Sequence, residues 1–205
     1  ATQNAKNVIL QKIREEERRI LYDQYYGMEK EVVTGIVQRV MGRNVSVNLG
    51  KADGILSENE QVKGEEFEPT QRIKVYILEV KETPKGPRIL VSRTHPGLVK
   101  RLFESEVAEV RDGTVEIKSI AREAGSRTKI AVWSNDPDVD PVGACVGMNG
   151  ARVNSIVEEL NGEKIDIINW DDNPAILIEN ALSPAKVISV MADPDEKTAL
   201  VVVPD

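Results

Sequence analysis

The feature that most constrains the fold is the segment DPVGACVGMNGARVNSIVEEL, residues 140–160, in which the four residues GMNG (147–150) separate two helix-like patterns. Asp140 followed by Pro141 is typical of a helix start, because an oxygen-bearing cap precedes a proline at the first helical position. Beyond the glycines, apolar residues recur at helical spacing at Val153, Ile156, Val157 and Leu160. The two glycines therefore predict a tight loop between two short helices, which another backbone can approach closely.

The loop has the properties of a phosphate site. The second helix is predicted to begin near Ala151, so its free N–H groups and positive dipole end face the loop. A helix predicted over residues 96–110 and two strands precede the pair of helices, and the strand EKIDIINW follows it. This order resembles the type II K-homology (KH) domain, whose Gly-x-x-Gly loop clamps about four nucleotides of a single strand. The predicted RNA-binding residues are Gly147, Met148, Asn149, Gly150, Ala151 and Arg152.

Residues 27–95 have a different pattern, with β-branched runs separated by Gly, Asn and Pro. Five short strands in about 68 residues predict a small OB-fold barrel, with turns at 41–44 and 83–87. Gly35 lies inside the first strand and predicts a sharp bend at a barrel corner. The second and third strands carry no aromatic residue on which bases could stack. We expect weak RNA binding through Arg39, Arg43 and Lys51; the alternative is a spacer barrel.

The N-terminal segment, residues 5–26, predicts an α-helix that ends at Gly27. Within it, Glu15 and Arg19 are spaced for an i,i+4 ion pair. Two interpretations remain open for this helix. It is a solvated linker helix, or it docks on a further domain or a partner.

The chain repeats part of its own pattern near the C-terminus. Residues 128–138 resemble residues 198–205 at an offset of 69, which predicts a second KH domain that stops before its own Gly-x-x-Gly loop. The predicted architecture is multi-domain, an all-β barrel followed by an α+β KH domain and a partial second one. The predicted divisions are a linker helix (1–26), the barrel (27–95), the KH domain (96–181) and the start of the second KH domain (182–205).

Charge limits the kind of nucleic-acid binding that the chain can perform. The net charge is -7, and residues 96–181 carry 9 basic and 16 acidic side chains, whereas residues 1–95 are near neutral. A protein that binds nucleic acid through bulk charge is therefore excluded, and any RNA site must be local. No apolar run is long enough to cross a membrane, and we expect a cytoplasmic monomer.

Metal, cofactor and catalytic sites are not predicted. One Cys and one His exclude an all-protein Cys/His zinc site, and Cys145 with His95 is a remote candidate for a nucleophilic pair. Asp136, Asp138 and Asp140 are spaced like the start of a calcium loop, but the sixth position is proline and the twelfth is glycine. The two tryptophans are assigned to packing on the sheet. The chain is therefore predicted to be a non-enzymatic protein without a cofactor.

Several motifs occur together in one order, namely SIAREAGSRTKIAV, the GMNG segment and NPAILIENALSPAKV. They resemble the NusA family of bacterial transcription factors over nearly all of the chain. The resemblance implies a helix closing an N-terminal domain, an S1 domain and two KH domains. The loop of that family often carries a basic residue where Asn149 stands, which leaves Arg152 as the nearest cation.

The resemblance implies an RNA-binding transcription factor that captures single-stranded nascent RNA. Through this binding it would modulate pausing, termination and antitermination by RNA polymerase, with other elongation factors as partners. The alternative is a protein-interaction scaffold that docks other factors on RNA polymerase through the acidic second half. An RNA titration separates these two hypotheses.

Overall fold

The computed structural model describes all residues, 1–205, and the chain divides into two compact units, residues 1–101 and 102–205. None of the helices combines the length and the hydropathy that crossing a membrane requires.

The first unit begins with α1 (Thr2–Tyr26), which starts three residues before its predicted position and ends at Gly27 as predicted. Arg19 pairs with Glu16 at 2.9 Å, so the prediction of a pair with Glu15 is wrong. Five large apolar side chains of α1 are exposed: Val8, Ile9, Leu10, Ile13 and Ile20.

Five strands of the first unit form a closed barrel, which confirms the predicted β-barrel. They are β1 (Val32–Met41), β2 (Asn44–Asn48), β3 (Asp53–Leu56), β4 (Arg72–Thr83) and β5 (Gly86–Ser92). Their order around the barrel is β1-β2-β3-β5-β4. Gly35 lies in β1 where a Cβ would be 2.3 Å from Cγ1 of Val47 on the neighbouring strand. The glycine is therefore required by the close packing of β1 on β2.

Tyr25, in the last turn of α1, is only 2% exposed and belongs to the core of the barrel. Its hydroxyl donates to the carbonyl of Leu49 at 3.0 Å and accepts from the backbone N–H groups of Lys51 and Ala52 at 3.0 and 3.3 Å. One phenol thus satisfies three backbone groups of the turn between β2 and β3. The end of α1 is thereby an integral part of the barrel.

From residue 96 the chain has the helix-strand-strand-helix-helix-strand order that the sequence predicts. The elements are α2 (Pro96–Glu106), α3 (Ala108–Arg111), β6 (Val115–Glu123), β7 (Arg127–Ser134), α4 (Pro141–Val146), α5 (Ala151–Glu159) and β8 (Lys164–Asn169). Within the second unit, β6 and β7 are antiparallel, whereas β7 and β8 are parallel. Side chains of α4, α5 and the sheet meet in a buried core that includes Ile130, Val132, Cys145, Ile156 and Leu160.

The predicted single helix over residues 96–110 is divided in two. Val107 is fully buried and extended, with φ -113° and ψ 108°, and it separates α2 from α3. The guanidinium of Arg111 donates to the carbonyls of Glu104 and Ser105 at 3.0 and 2.5 Å, and so satisfies groups at the end of α2. Burial of Val107 and this capping account for the break, which helical periodicity alone does not show.

After β8 the chain forms α6 (Pro174–Leu182) and a two-stranded antiparallel hairpin, β9 (Ser189–Asp193) and β10 (Thr198–Val202). Asn173 caps α6 by accepting a hydrogen bond from the N–H of Ala175, as its position before Pro174 predicts. The hairpin places β10 in the repeated segment 198–205, whereas β9 precedes that segment. Its apolar side chains Ile188, Met191, Leu200, Val202 and Val203 are exposed.

A buried carboxylate connects the β6–β7 hairpin to the start of β8. Glu163 is 1% exposed and accepts hydrogen bonds from the guanidinium of Arg122 at 3.0 Å, the hydroxyl of Thr128 at 2.7 Å and the N–H of Gly125 at 2.6 Å. The Arg122 and Glu163 side chains are both almost completely inaccessible to solvent. The ionic group is therefore both paired and hydrogen-bonded, as a buried charge must be.

We expect the substitution Tyr25→Phe to destabilise the first unit by about 1–3 kcal/mol, because three partly buried backbone groups lose their partner while the ring is retained. The measurement is amide hydrogen exchange, which should accelerate at Lys51 and Ala52. The matched control is Tyr26→Phe, whose side chain is 53% exposed and whose exchange rates should not change. Unchanged exchange at Lys51 and Ala52 in Tyr25→Phe would contradict the assigned role of the phenol.

We expect Glu163→Ala to destabilise the second unit by about 3–5 kcal/mol, because the guanidinium of Arg122 stays buried without its counter-charge. Urea unfolding followed by tryptophan fluorescence measures this unit, since both tryptophans, Trp133 and Trp170, lie in it. The control is Glu116→Ala, which removes an exposed ion pair with Lys118 and should cost about 0–1 kcal/mol. Equal losses in the two variants would show that burial of the pair is unimportant.

Candidate nucleic-acid interface

The Gly-x-x-Gly loop lies between α4 and α5, and its backbone is largely left-handed. Gly147 has φ 76° and ψ 172°, Asn149 has φ 54° and ψ 26°, and Gly150 has φ 74° and ψ 13°. A Cβ on Gly147 would also be 2.7 Å from Cγ of Arg152. A side chain at position 147 is therefore disfavoured both by the positive φ angle and by the contact with Arg152. The left-handed conformation of Asn149, in contrast, is one that asparagine tolerates. Met148, between them, is 85% exposed.

The two helices that flank the loop have different N-termini. In α4, Asp140 accepts a hydrogen bond from the N–H of Val142 at 3.2 Å and occupies the cap position. In α5 the cap residue is Gly150, no side chain caps the helix, and the first turn has no acidic residue. The N–H of Ala151 donates to the carbonyl of Met148, whereas no side chain accepts from the N–H groups that follow it in the first turn of α5, where the helix dipole favours an anion.

Arg152 is the cation nearest the loop in sequence, and it is held by two intramolecular contacts. Its guanidinium lies 2.7 Å from Oε2 of Glu109 and donates to the carbonyl of Ala144 at 2.8 Å. Hydrogen bonding to its own backbone N–H, followed by the contact with Arg152, lowers the pKa of Glu109 below its usual value. The carboxylate is therefore ionised at neutral pH, and Arg152 connects α3 to α4 as well as facing the loop region.

The three cations predicted on the barrel do not converge. Arg43 precedes β2 and pairs with Glu58 at 3.3 Å, whereas Lys51 follows the same strand in the next turn. Arg39 lies on β1 and lines a shallow cleft of about 680 Å³ with Asn48, Asp53 and Thr70. At about 3.3 Å per residue, the length of β2 separates Arg43 from Lys51, so these side chains form no single patch.

Neither reactive side chain has the surroundings of a nucleophilic pair. Cys145 is fully buried, and burial raises the pKa of its thiol to about 11. The His95 ring stacks on Tyr76 with 4.5 Å between ring centroids, and its Nδ1 accepts from the N–H of Gly97. No group of three or more His, Cys, Asp or Glu side chains is arranged to hold a metal ion.

The sequence interpretation missed a cleft at the end of the sheet of the second unit. The sequence predicts that Trp133 packs on the sheet, but this side chain is 43% exposed and lines a cleft of about 650 Å³ together with Trp170 and Asp136. The available signal was the position of each tryptophan at the end of a strand, directly before an aspartate-containing loop. Parallel pairing of β7 with β8 brings these two strand ends together.

Comparison with known proteins identifies two domain families that follow one another along the chain. The S1 RNA-binding domain matches residues 27–92, and the NusA-like first KH domain matches residues 93–170. The chain is 55% identical over 205 residues to the transcription termination/antitermination protein NusA of Bacillus subtilis, covering 100% of this chain and 55% of that protein.

Two further relatives carry the same name. The protein of Halalkalibacterium halodurans is 54% identical over 205 residues, covering 100% of this chain and 54% of that protein. The protein of Thermus thermophilus is 47% identical over 202 residues, covering 98% of this chain and 52% of that protein. The chain thus spans about half the length of the curated relatives it matches. With an S1 domain followed by a NusA-like KH domain and this identity along its whole length, the chain belongs to the NusA family.

Proposed function

We propose that the chain is a non-enzymatic RNA-binding module that captures single-stranded nascent RNA and thereby modulates pausing, termination and antitermination by RNA polymerase. The observation that carries the proposal is the loop of residues 147–150, which combines a left-handed glycine backbone with the uncapped N-terminus of α5. Such a loop offers backbone N–H groups to phosphates, and its two glycines bring no side chain that would block them. The names of the relatives support the transcriptional role.

In the proposed complex, the sugar-phosphate backbone lies against Gly147, Asn149 and Gly150, close to the first turn of α5. The exposed thioether of Met148 contacts a sugar or base, and Ala151 lets the strand approach because its side chain is small. Arg152 contributes positive potential while it remains paired with Glu109. The barrel adds weak contacts at most, through Arg39, Arg43 and Lys51, since these cations are dispersed and no aromatic residue accompanies them on β2 or β3.

The hairpin of β9 and β10 is proposed to be the start of a second KH domain. Its second strand lies in the segment 198–205, which repeats residues 128–138 at an offset of 69, and its exposed apolar side chains are suited to packing against further chain. Two linked KH domains on one strand would make the second capture intramolecular and raise the overall affinity.

The RNA-binding role of the loop is tested by a double substitution that is compatible with its backbone conformation. Glycine substitutions are unsuitable, since a Cβ at Gly147 would collide with Arg152, so an effect on folding would be confused with one on binding. We therefore choose Met148→Asp with Asn149→Asp; the first side chain is exposed, and aspartate tolerates the left-handed conformation of the second. Two added charges near a phosphate, each worth about 1 kcal/mol in water, should weaken RNA binding about 30-fold.

The measurement is fluorescence anisotropy with a labelled single-stranded RNA at a stated salt concentration. The matched control is Asn161→Asp with Met191→Asp, which makes the same chemical changes at another left-handed asparagine and another exposed methionine. Control and unmodified proteins should bind equally. If the loop variant is folded and binds RNA with the affinity of the unmodified protein, the loop is not the RNA site. That result would favour the alternative of a protein-interaction scaffold.

The salt dependence of RNA binding gives a second, independent prediction. Because few cations lie near the loop, we expect two or three phosphates to be neutralised, with a slope of log affinity against log salt of about -1.4 to -2.1 at about -0.7 per contact. Titration at four or more salt concentrations measures this slope. A slope steeper than about -3.5, which corresponds to five contacts, would reveal a basic surface elsewhere on the chain.

A further inference from the structure

The cleft at the end of the β6–β7–β8 sheet has two indole side chains in its wall. Trp133 is the second-last residue of β7, and Trp170 directly follows β8. Both line the cleft, whose volume is about 650 Å³. Pro137, Val139 and Pro141 complete its apolar lining. This size is within the range of sites that accept small ligands or a few side chains. The cleft is separate from the residues 147–150 that carry the proposed RNA site.

The surroundings of the cleft are strongly acidic. Asp136 lines it, Asp138 and Asp140 belong to the same loop, and Asp171 and Asp172 follow Trp170. The sequence contains no Lys or Arg in residues 130–151 or in residues 165–185, which form the cleft and its loops. The partners of these carboxylates are N–H groups: Asp136 accepts from the backbone of Asp138 and Asp172 accepts from the indole of Trp170.

Basic side chains elsewhere on the neighbouring strand and helix are already engaged. Lys118 of β6 pairs with Glu116 at 3.3 Å, and Glu116 is the cross-strand neighbour of Trp133. Arg111 of α3 donates to the carbonyls of Glu104 and Ser105. Lys118 and Arg111 therefore do not compensate the negative charge around the cleft.

This charge discriminates between the classes of ligand that indoles can bind. A nucleotide would stack its base on tryptophan, but its phosphate would lie near loops that carry five aspartates, which repel it. A guanidinium group suits both the indoles and the carboxylates of the cleft, since it stacks on an aromatic face and forms hydrogen bonds to a carboxylate. We propose that the cleft binds an arginine-containing segment of a partner protein, with the guanidinium on an indole and against the carboxylate of Asp136.

The probe for this site is an acetylated and amidated pentapeptide of sequence Gly-Arg-Gly-Arg-Gly, added to the full chain. Since both tryptophans of the protein line the cleft, their fluorescence reports on this site alone. We expect a saturable change with the arginine peptide, a weaker one with the lysine analogue and none with the glutamate analogue. Higher salt should weaken the binding, because exposed charges are screened.

The test variant is Asp136→Asn with Asp138→Asn, which removes two charges and keeps the side-chain oxygen that accepts the Asp138 N–H. We expect about tenfold weaker peptide binding. The matched control is Asp193→Asn with Asp195→Asn in the β9–β10 turn, where Asp193 also accepts backbone N–H bonds. A second variant, Trp133→Leu, should also lose binding, which is then followed by the backbone resonances of Ser134 and Asn135.

The outcomes are distinct from those that test the RNA proposal. The loop variant Met148→Asp with Asn149→Asp should bind the peptide normally, because the cleft does not include those residues. Absence of a saturable signal with the arginine peptide would overturn the inference, as would equal affinities in the test and control variants. A signal from a single-stranded RNA oligonucleotide but not from the peptide would instead identify the cleft as a base-stacking site.

Discussion

The sheet that carries the proposed RNA site depends on the buried carboxylate of Glu163. Two strands and the start of a third must be held in one arrangement before α4 and α5 can pack on them. Glu163 achieves this by accepting hydrogen bonds from Arg122 on β6, Gly125 in the turn and Thr128 on β7. Because a buried charge is tolerated only with its full set of partners, the arrangement of the hairpin relative to β8 is strongly specified.

In the barrel, the side chain of Tyr25 also fixes a turn through several hydrogen bonds. The Tyr25 hydroxyl lies in the β2–β3 turn and forms hydrogen bonds to three partly buried backbone groups. In both units the structure uses one side chain to fix a turn through backbone hydrogen bonds. The turn near Tyr25 contains Lys51, so the position of this exposed cation is a consequence of the packing of α1.

The loop at residues 147–150 and the Trp133–Trp170 cleft lie at opposite ends of α4, since Pro141 lines the cleft and Gly147 follows the helix. The loop has left-handed glycines, an uncapped helix and no carboxylate in the first turn of α5, which suits phosphate. The cleft has indoles and carboxylates, which suit a cation. A single short helix thus separates the loop proposed to bind RNA from the cleft proposed to bind a cationic segment.

The sequence by itself determined the elements that depend on local rules. Local rules apply to the turns at 41–44 and 83–87, the caps Asp140 and Asn173 and the apolar stripe of α5, and all of these are present. The Gly-x-x-Gly loop could be located for the same reason. Tertiary structure decided what depends on contacts distant in sequence: the break at Val107, the pairing of Arg152 with Glu109 and the burial of Glu163. The cleft belongs to this second class, because only the parallel pairing of β7 with β8 brings Trp133 and Trp170, 37 residues apart, to one edge of the sheet.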